Sequence, residues 1–150
     1  MKQRLIDVLL VEDDEAEAEL TRETLEYERI DVRLNTVENG IEAMAYLRQE
    51  GEYANADQPD LIFLDLNMPK KDGREVLKEL KNNEKLKHIP VLILTNSASD
   101  KDILTAYKLG ASCYLKKPIS LDEFINLIKA IDEFWFKFVK LPTKIVQQGL

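Results

Sequence analysis

The chain has 150 residues, enough for one domain with a substantial core. Its composition, 45% hydrophobic and 33% charged, is that of an ordinary globular protein, and a net charge of -7 argues against a general nucleic-acid binder. No apolar run approaches the roughly 18 residues that a membrane span needs, and the lone Cys113 excludes an internal disulfide, so a cytoplasmic location is the default.

Residues Met1 to Ile6 carry two cations but no apolar leader core, because Asp7 and the acids from Glu12 onward interrupt it. Leu5 to Val11 reads as a strand. Asp14 to Tyr27 reads as a helix with Ala16, Leu20, Thr24 and Tyr27 on one face. Asp31 to Val37 is a second strand, less apolar and so expected near an edge. Asn39-Gly40 turns into a helix carrying Ile41, Met44, Ala45 and Leu47, and a polar loop, Glu50 to Pro59, follows. Leu61 to Leu64 is an apolar strand ending at Asp65. Pro69 and Gly73 lead into a helix through Val76, Leu77 and Leu80. Ile89 to Leu94 is a strand ending at Thr95. Ser99 to Leu109 is a helix stopped by Gly110. Cys113 to Leu115 is a short strand before Lys117-Pro118. The last helix starts near Ser120, with Glu123 in capping-box spacing, and is expected to run to about Lys140.

Five strand–helix units of this kind predict a parallel sheet covered on both faces. In such sheets the site lies beyond the carboxyl ends of the strands. Glu12 and Asp13 end the first strand, Asp65 the third and Thr95 the fourth, and Lys117 follows the fifth. Singly, each has an ordinary explanation. Acids before a helix are commonly caps, a strand-end Thr is usually structural, and a Lys before Pro is usually a surface charge. Asp65 resists such an explanation, since it follows four apolar residues in the expected central strand and must be compensated there.

Together these residues make chemical sense. Clustered carboxylates repel one another by roughly 1–4 kcal/mol per pair at about 4 Å. A hard divalent cation relieves that repulsion, and magnesium, which binds through one or two carboxylates, waters and phosphate oxygens, fits, with manganese or calcium as substitutes. Asp65 is then placed to attack phosphorus, Lys117 to neutralise charge on the transferring group, and Thr95 to bond a phosphoryl oxygen.

The stretches VLLVEDD (8–14), LIFLDLNMPKKDG (61–73), PVLILTNS (90–97) and GASCYLKKP (110–118) resemble the receiver, or response regulator, family of two-component signalling. The likeness implies a flavodoxin-like (βα)5 doubly wound α/β fold with strand order 2-1-3-4-5, spanning 1–150 as one receiver with an extended C-terminal helix and tail. By position it makes Asp65 the phosphoacceptor. It makes Glu12 and Asp13 the acidic metal pair, and Asn67 the residue whose backbone carbonyl completes the metal site. Thr95 becomes the switch hydroxyl and Tyr114 the switch aromatic. Lys117 becomes the phosphate-binding lysine in preference to its neighbour Lys116, because it directly precedes Pro118, where the family carries a cis peptide bond.

Asn96 departs from the small residue usual after the threonine and is expected to narrow access to Asp65. The long 50–59 loop, the KKDGREVL segment and the aromatic pair near the C terminus resemble single-domain regulators paired with phytochromes. The implied partner is a sensor histidine kinase, with a phytochrome as the kinase of that subfamily. Such a protein is no enzyme beyond catalysing its own phosphorylation and dephosphorylation. Only ten residues follow Lys140, so output is expected from the receiver surface itself. The aromatic-rich last helix, together with the face of helix 4, strand 5 and helix 5, predicts a homodimer; the competing reading has the extra aromatics cover the sheet edge. A phosphorelay intermediate or phosphate sink is the alternative function. A phosphohydrolase is disfavoured by Asn67 where such enzymes place a second Asp, and a purely structural domain by the full set of key residues.

Overall fold

A computed structural model describes residues 5–149; the expectation for the first residues, with Lys2 and Arg4, lies outside the described residues for 1–4. The chain alternates strand and helix: β1 (Ile6–Val11), α1 (Glu15–Tyr27), β2 (Val32–Val37), α2 (Gly40–Leu47), β3 (Leu61–Leu64), α3 (Gly73–Lys81), β4 (Val91–Thr95), α4 (Asp100–Lys108), β5 (Cys113–Lys116), α5 (Leu121–Ile131) and α6 (Thr143–Gln147). All pairings are parallel, in the order β2-β1-β3-β4-β5. After β1 the chain goes outward to β2 and returns to β3 on the other side of β1. The switch point therefore falls between the carboxyl ends of β1 and β3.

The period-2 alternation of the strands divides the core in two. Leu9, Val11, Ile62, Leu64 and Ile93 face α2, α3 and α4, where Met44, Leu47, Val76, Leu77, Leu80 and Ala106 meet them. Val8, Leu10, Leu61, Phe63 and Leu92 face the opposite way, onto Leu25 of α1 and Phe124, Ile128 and Ile131 of α5. Burial on both faces explains the continuous apolar runs of β3 and β4. The sparser β2 is an edge strand, as its composition predicts.

The starts of α1 to α5 carry side-chain caps: Asp14, Asn39, Asp72, Ser99 and Ser120 accept backbone N–H groups in their first turns. Gly110 ends α4 with φ 103°, the left-handed conformation glycine tolerates. The 50–59 loop contains a 3-10 turn, Gly51–Tyr53, and is pinned by Gln49 and Gln58 side chains donating to the carbonyls of Ala56 and Leu47 at 2.7 and 2.6 Å.

Three expectations are corrected. The buried face of α1 is Thr21, Thr24 and Leu25, and Tyr27 is 82% exposed. Burial of the threonines is tolerated because their hydroxyls donate to the carbonyls of Glu17 and Leu20 at 3.1 and 2.7 Å. The Lys117–Pro118 bond is trans, the lower-energy form of an X–Pro bond, and no described peptide bond is cis. The last helix does not run to Lys140. α5 stops at Ile131 and a π-helical turn, Asp132–Phe136, follows. The wide turn rotates Trp135 and Phe136 onto the α1/α5 core, with the Phe136 and Phe63 ring centroids 6.4 Å apart. Pro142 then leads into α6, which folds back beneath the amino ends of β1 and β3. There the Thr143 hydroxyl donates to the Pro59 carbonyl at 2.8 Å and Lys144 Nζ bonds Asp7 at 3.1 Å. The aromatics thus split: Trp135 and Phe136 serve the core, while Phe134 and Phe138 are exposed.

Candidate phosphoacceptor site

The apolar strand β3 delivers Asp65 into the crevice between β1 and β4, with only 6% of the residue exposed. The loop to α3 must fold tightly against this strand end. Gly73 allows it, since any Cβ there would collide with the Asp65 carbonyl oxygen. Leaving β1, the chain places Glu12 in the interior and Asp13 at the surface. Neither caps α1. That task falls to Asp14, whose Oδ1 accepts the N–H groups of Ala16 and Glu17 at 2.9 and 3.2 Å. Glu12 and Asp13 are thereby free to face Asp65, and one carboxylate oxygen from each of the three lies within 4.8 Å of the others.

One Asp65 oxygen, Oδ1, accepts the Thr95 hydroxyl at 2.8 Å and the Asn67 N–H at 3.2 Å. The other, Oδ2, faces the Lys117 ammonium at 3.9 Å. Thr95 is fully buried at the end of β4. The paired lysines differ in their surroundings. Lys117 is buried with its ammonium among carboxylates, whereas Lys116 is exposed. The Lys117 ammonium is bonded to Glu12 and also to Glu17 of α1, the latter at 2.8 Å.

Electrostatics follow from this burial. Removal from water pushes the Glu12 carboxyl up to about 7, against the pull of its bond to Lys117. Burial works against the Lys117 ammonium too. Its bonds to Glu12 and Glu17 outweigh that penalty and hold its pKa above the usual lysine value.

Tyr114 stands on β5, away from the carboxylates. Its hydroxyl donates to the Ser97 carbonyl at 2.9 Å, and its backbone N–H donates to the Tyr107 hydroxyl at 3.1 Å. Asn96 is exposed beside Thr95. Glu17, Ser97, Asp102 and Arg74 join this region without having been anticipated. For Glu17 a signal exists: it follows Asp13 by four residues, the helical spacing that puts two side chains on one face. Asp102, which accepts the Ser97 hydroxyl, meets Arg74 through a tertiary contact that no local pattern announces. The donors facing Asp65 are all hard oxygens, with no His or Cys among them, which suits a hard divalent cation over a soft one.

A buried aspartate at the switch point of a 2-1-3-4-5 parallel sheet, ringed by two acids, a hydroxyl and a lysine, defines the receiver class. Residues 8–129 match the response regulator receiver domain family, and the chain belongs to it. The response regulator Rcp1 of Synechocystis sp. is 47% identical over 135 residues, 90% of this chain and 92% of that protein. The crystal structure of the phosphorylated cyanobacterial phytochrome response regulator RcpA is similar at a TM-score of 0.88 and 48% identity, over 93% of this chain and 99% of that one. The Mn(2+)-bound form of Rcp1 gives a TM-score of 0.86 at 46% identity, over 91% and 99% of the two chains.

Proposed function

We propose that this protein is a one-domain signalling receiver that accepts a phosphoryl group on Asp65 from a sensor histidine kinase. The observation that carries the reading is the set of partners of the Asp65 carboxylate. One oxygen is aligned by Thr95 and Asn67, the other faces Lys117, and two further acids converge beside them. An Asp65 oxygen forms the new bond to phosphorus as the bond to the donor imidazole breaks, its electron pair returning to that nitrogen. Lys117 offsets the negative charge gathering on the phosphoryl oxygens. Glu12, Asp13 and Asp65, with the Asn67 carbonyl, would hold a divalent cation. Magnesium suits the all-oxygen set, and manganese, bound by the relative Rcp1, is a substitute. That cation would supply charge neutralisation for the incoming phosphate.

Thr95 then trades its bond with Asp65 for one to a phosphoryl oxygen. Tyr114 responds through the 96–99 loop, which alters the face of α4, β5 and α5. The resemblance to phytochrome response regulators supports a phytochrome as the kinase. The setting is the cytoplasm, and the chemistry is confined to the protein's own phosphorylation and dephosphorylation. Exposed Phe134 and Phe138 beyond α5, with Leu104 and Tyr107 on α4, support a homodimer through this side.

Incubation with magnesium and a small phosphodonor, followed by intact-mass measurement, tests the reading. Wild type should gain one phosphoryl group and Asp65→Asn none. A gain that persists in Asp65→Asn would sink the site assignment.

A further inference from the structure

The Lys117 ammonium is not poised on Asp65. It bonds Glu12 and Glu17, and Asp65 Oδ2 lies beyond hydrogen-bond reach at 3.9 Å. Three carboxylates thus compete for one cation whose side chain is 7% exposed. Two of them, Glu12 and Asp65, belong to the acidic cluster that suits a divalent ion, and Glu17 does not. Glu12, in holding such a cation, would have less charge to offer Lys117. That leaves Glu17, rooted in α1 and 34% exposed, as the remaining anionic rival of the phosphoryl oxygens.

We infer that Glu17 is a positioning residue that holds the Lys117 ammonium back from Asp65, and so slows the arrival of a phosphoryl group there. The inference rests on Asp65 being the phosphoacceptor. Transfer gathers negative charge on phosphoryl oxygens, and the ammonium assists only to the extent that it swings from Glu17 toward them. Glu17→Gln keeps the length of the side chain and weakens the hold by removing its charge. Glu17→Ala removes it altogether.

The test is the rate of single-phosphoryl gain by the full chain at saturating magnesium with acetyl phosphate. Both variants should react about 3- to 10-fold faster than wild type. Glu15→Gln, which removes the same charge from α1 at a residue with no bond to Lys117, should leave the rate unchanged. In a Lys117→Met background, Glu17→Gln should have no effect, an outcome that a merely structural or long-range charge role does not produce. Thermal unfolding of each variant confirms that it is folded. Unchanged or slower reaction of folded Glu17→Gln overturns the inference, as does an equal acceleration by Glu15→Gln or in the Lys117→Met background. If wild type takes up no phosphoryl group, the phosphoacceptor reading falls and this inference with it. If wild type reacts and Glu17→Gln matches it, only the inference falls.

Discussion

Arg74 at the start of α3 reaches Asp102 in the first turn of α4, with Nη2 and Oδ1 2.6 Å apart. The other Asp102 oxygen accepts the Ser97 hydroxyl at 2.6 Å, and the Ser97 carbonyl accepts the Tyr114 hydroxyl. A continuous polar chain therefore ties α3, the 96–99 loop, α4 and β5 together. Removing Arg74 leaves Asp102 without its cationic partner. Arg74→Ala is expected to speed amide hydrogen exchange across residues 97–102 while leaving the strands protected. Unchanged exchange in that segment would show that the loop is held by other means.

The same pair gives a pH dependence. The Ser97 hydroxyl, then the Arg74 guanidinium, hold the Asp102 carboxyl below its usual range. A carboxyl depressed in the folded state contributes stability above its unfolded pKa of about 4, and that contribution is lost as pH falls through the lower folded value. Asp102→Asn should therefore narrow its stability gap to wild type below about pH 4. Urea unfolding at several pH values measures this, and a gap constant from neutrality to acid would count against it.

Thr95→Val keeps shape and removes the hydroxyl that meets Asp65 at 2.8 Å. The cost to stability is about 1 kcal/mol. The variant should still gain a phosphoryl group, and the chemical-shift change of Tyr114 on phosphorylation should be lost. A wild-type Tyr114 response in Thr95→Val would remove the hydroxyl from the signalling path.

Phe134 and Phe138 are exposed while Phe136 packs on the core near Phe63. Replacing Phe134 and Phe138 by Ser should convert a dimer to a monomer in light scattering with little change in Tm. Phe136→Ala should instead lower stability by about 2–3 kcal/mol through the void it leaves. A wild-type protein that is monomeric with and without phosphorylation would end the dimer proposal.

How far the sequence carried depends on where each interaction lies along the chain. β3, β4 and the Val8–Val11 part of β1 are legible because burial on both faces writes itself as apolar runs. Gly110 and the capping serines are legible because helix ends use local chemistry. Asp65, Thr95 and Lys117 could be brought together from strand ends alone, since parallel strands expose their carboxyl ends on one side. The end of α5 could not. The aromatics 134–138 look helical in composition, and only the position of Phe63 decides that Trp135 and Phe136 turn inward. The cap of α1 is not legible either: Glu12 and Asp13 have an ordinary reading as caps and Asp14 reads as the first helical residue, yet Asp14 is the cap, because adjacent acids differ only in which one the strand directs inward.

The fold-back of α6 has a consequence for how the chain is made. Asp7 is buried in β1, and the ammonium 3.1 Å from its carboxylate belongs to a residue 137 positions later. Its other cationic neighbour, Arg33 at 3.4 Å, is half exposed. A ribosome releasing the chain from its amino end thus completes the sheet before it delivers the lysine that neutralises the sheet's own first strand. Until the segment around Lys144 emerges, the nascent receiver holds an under-compensated carboxylate in its floor, so final consolidation of the fold waits on that segment.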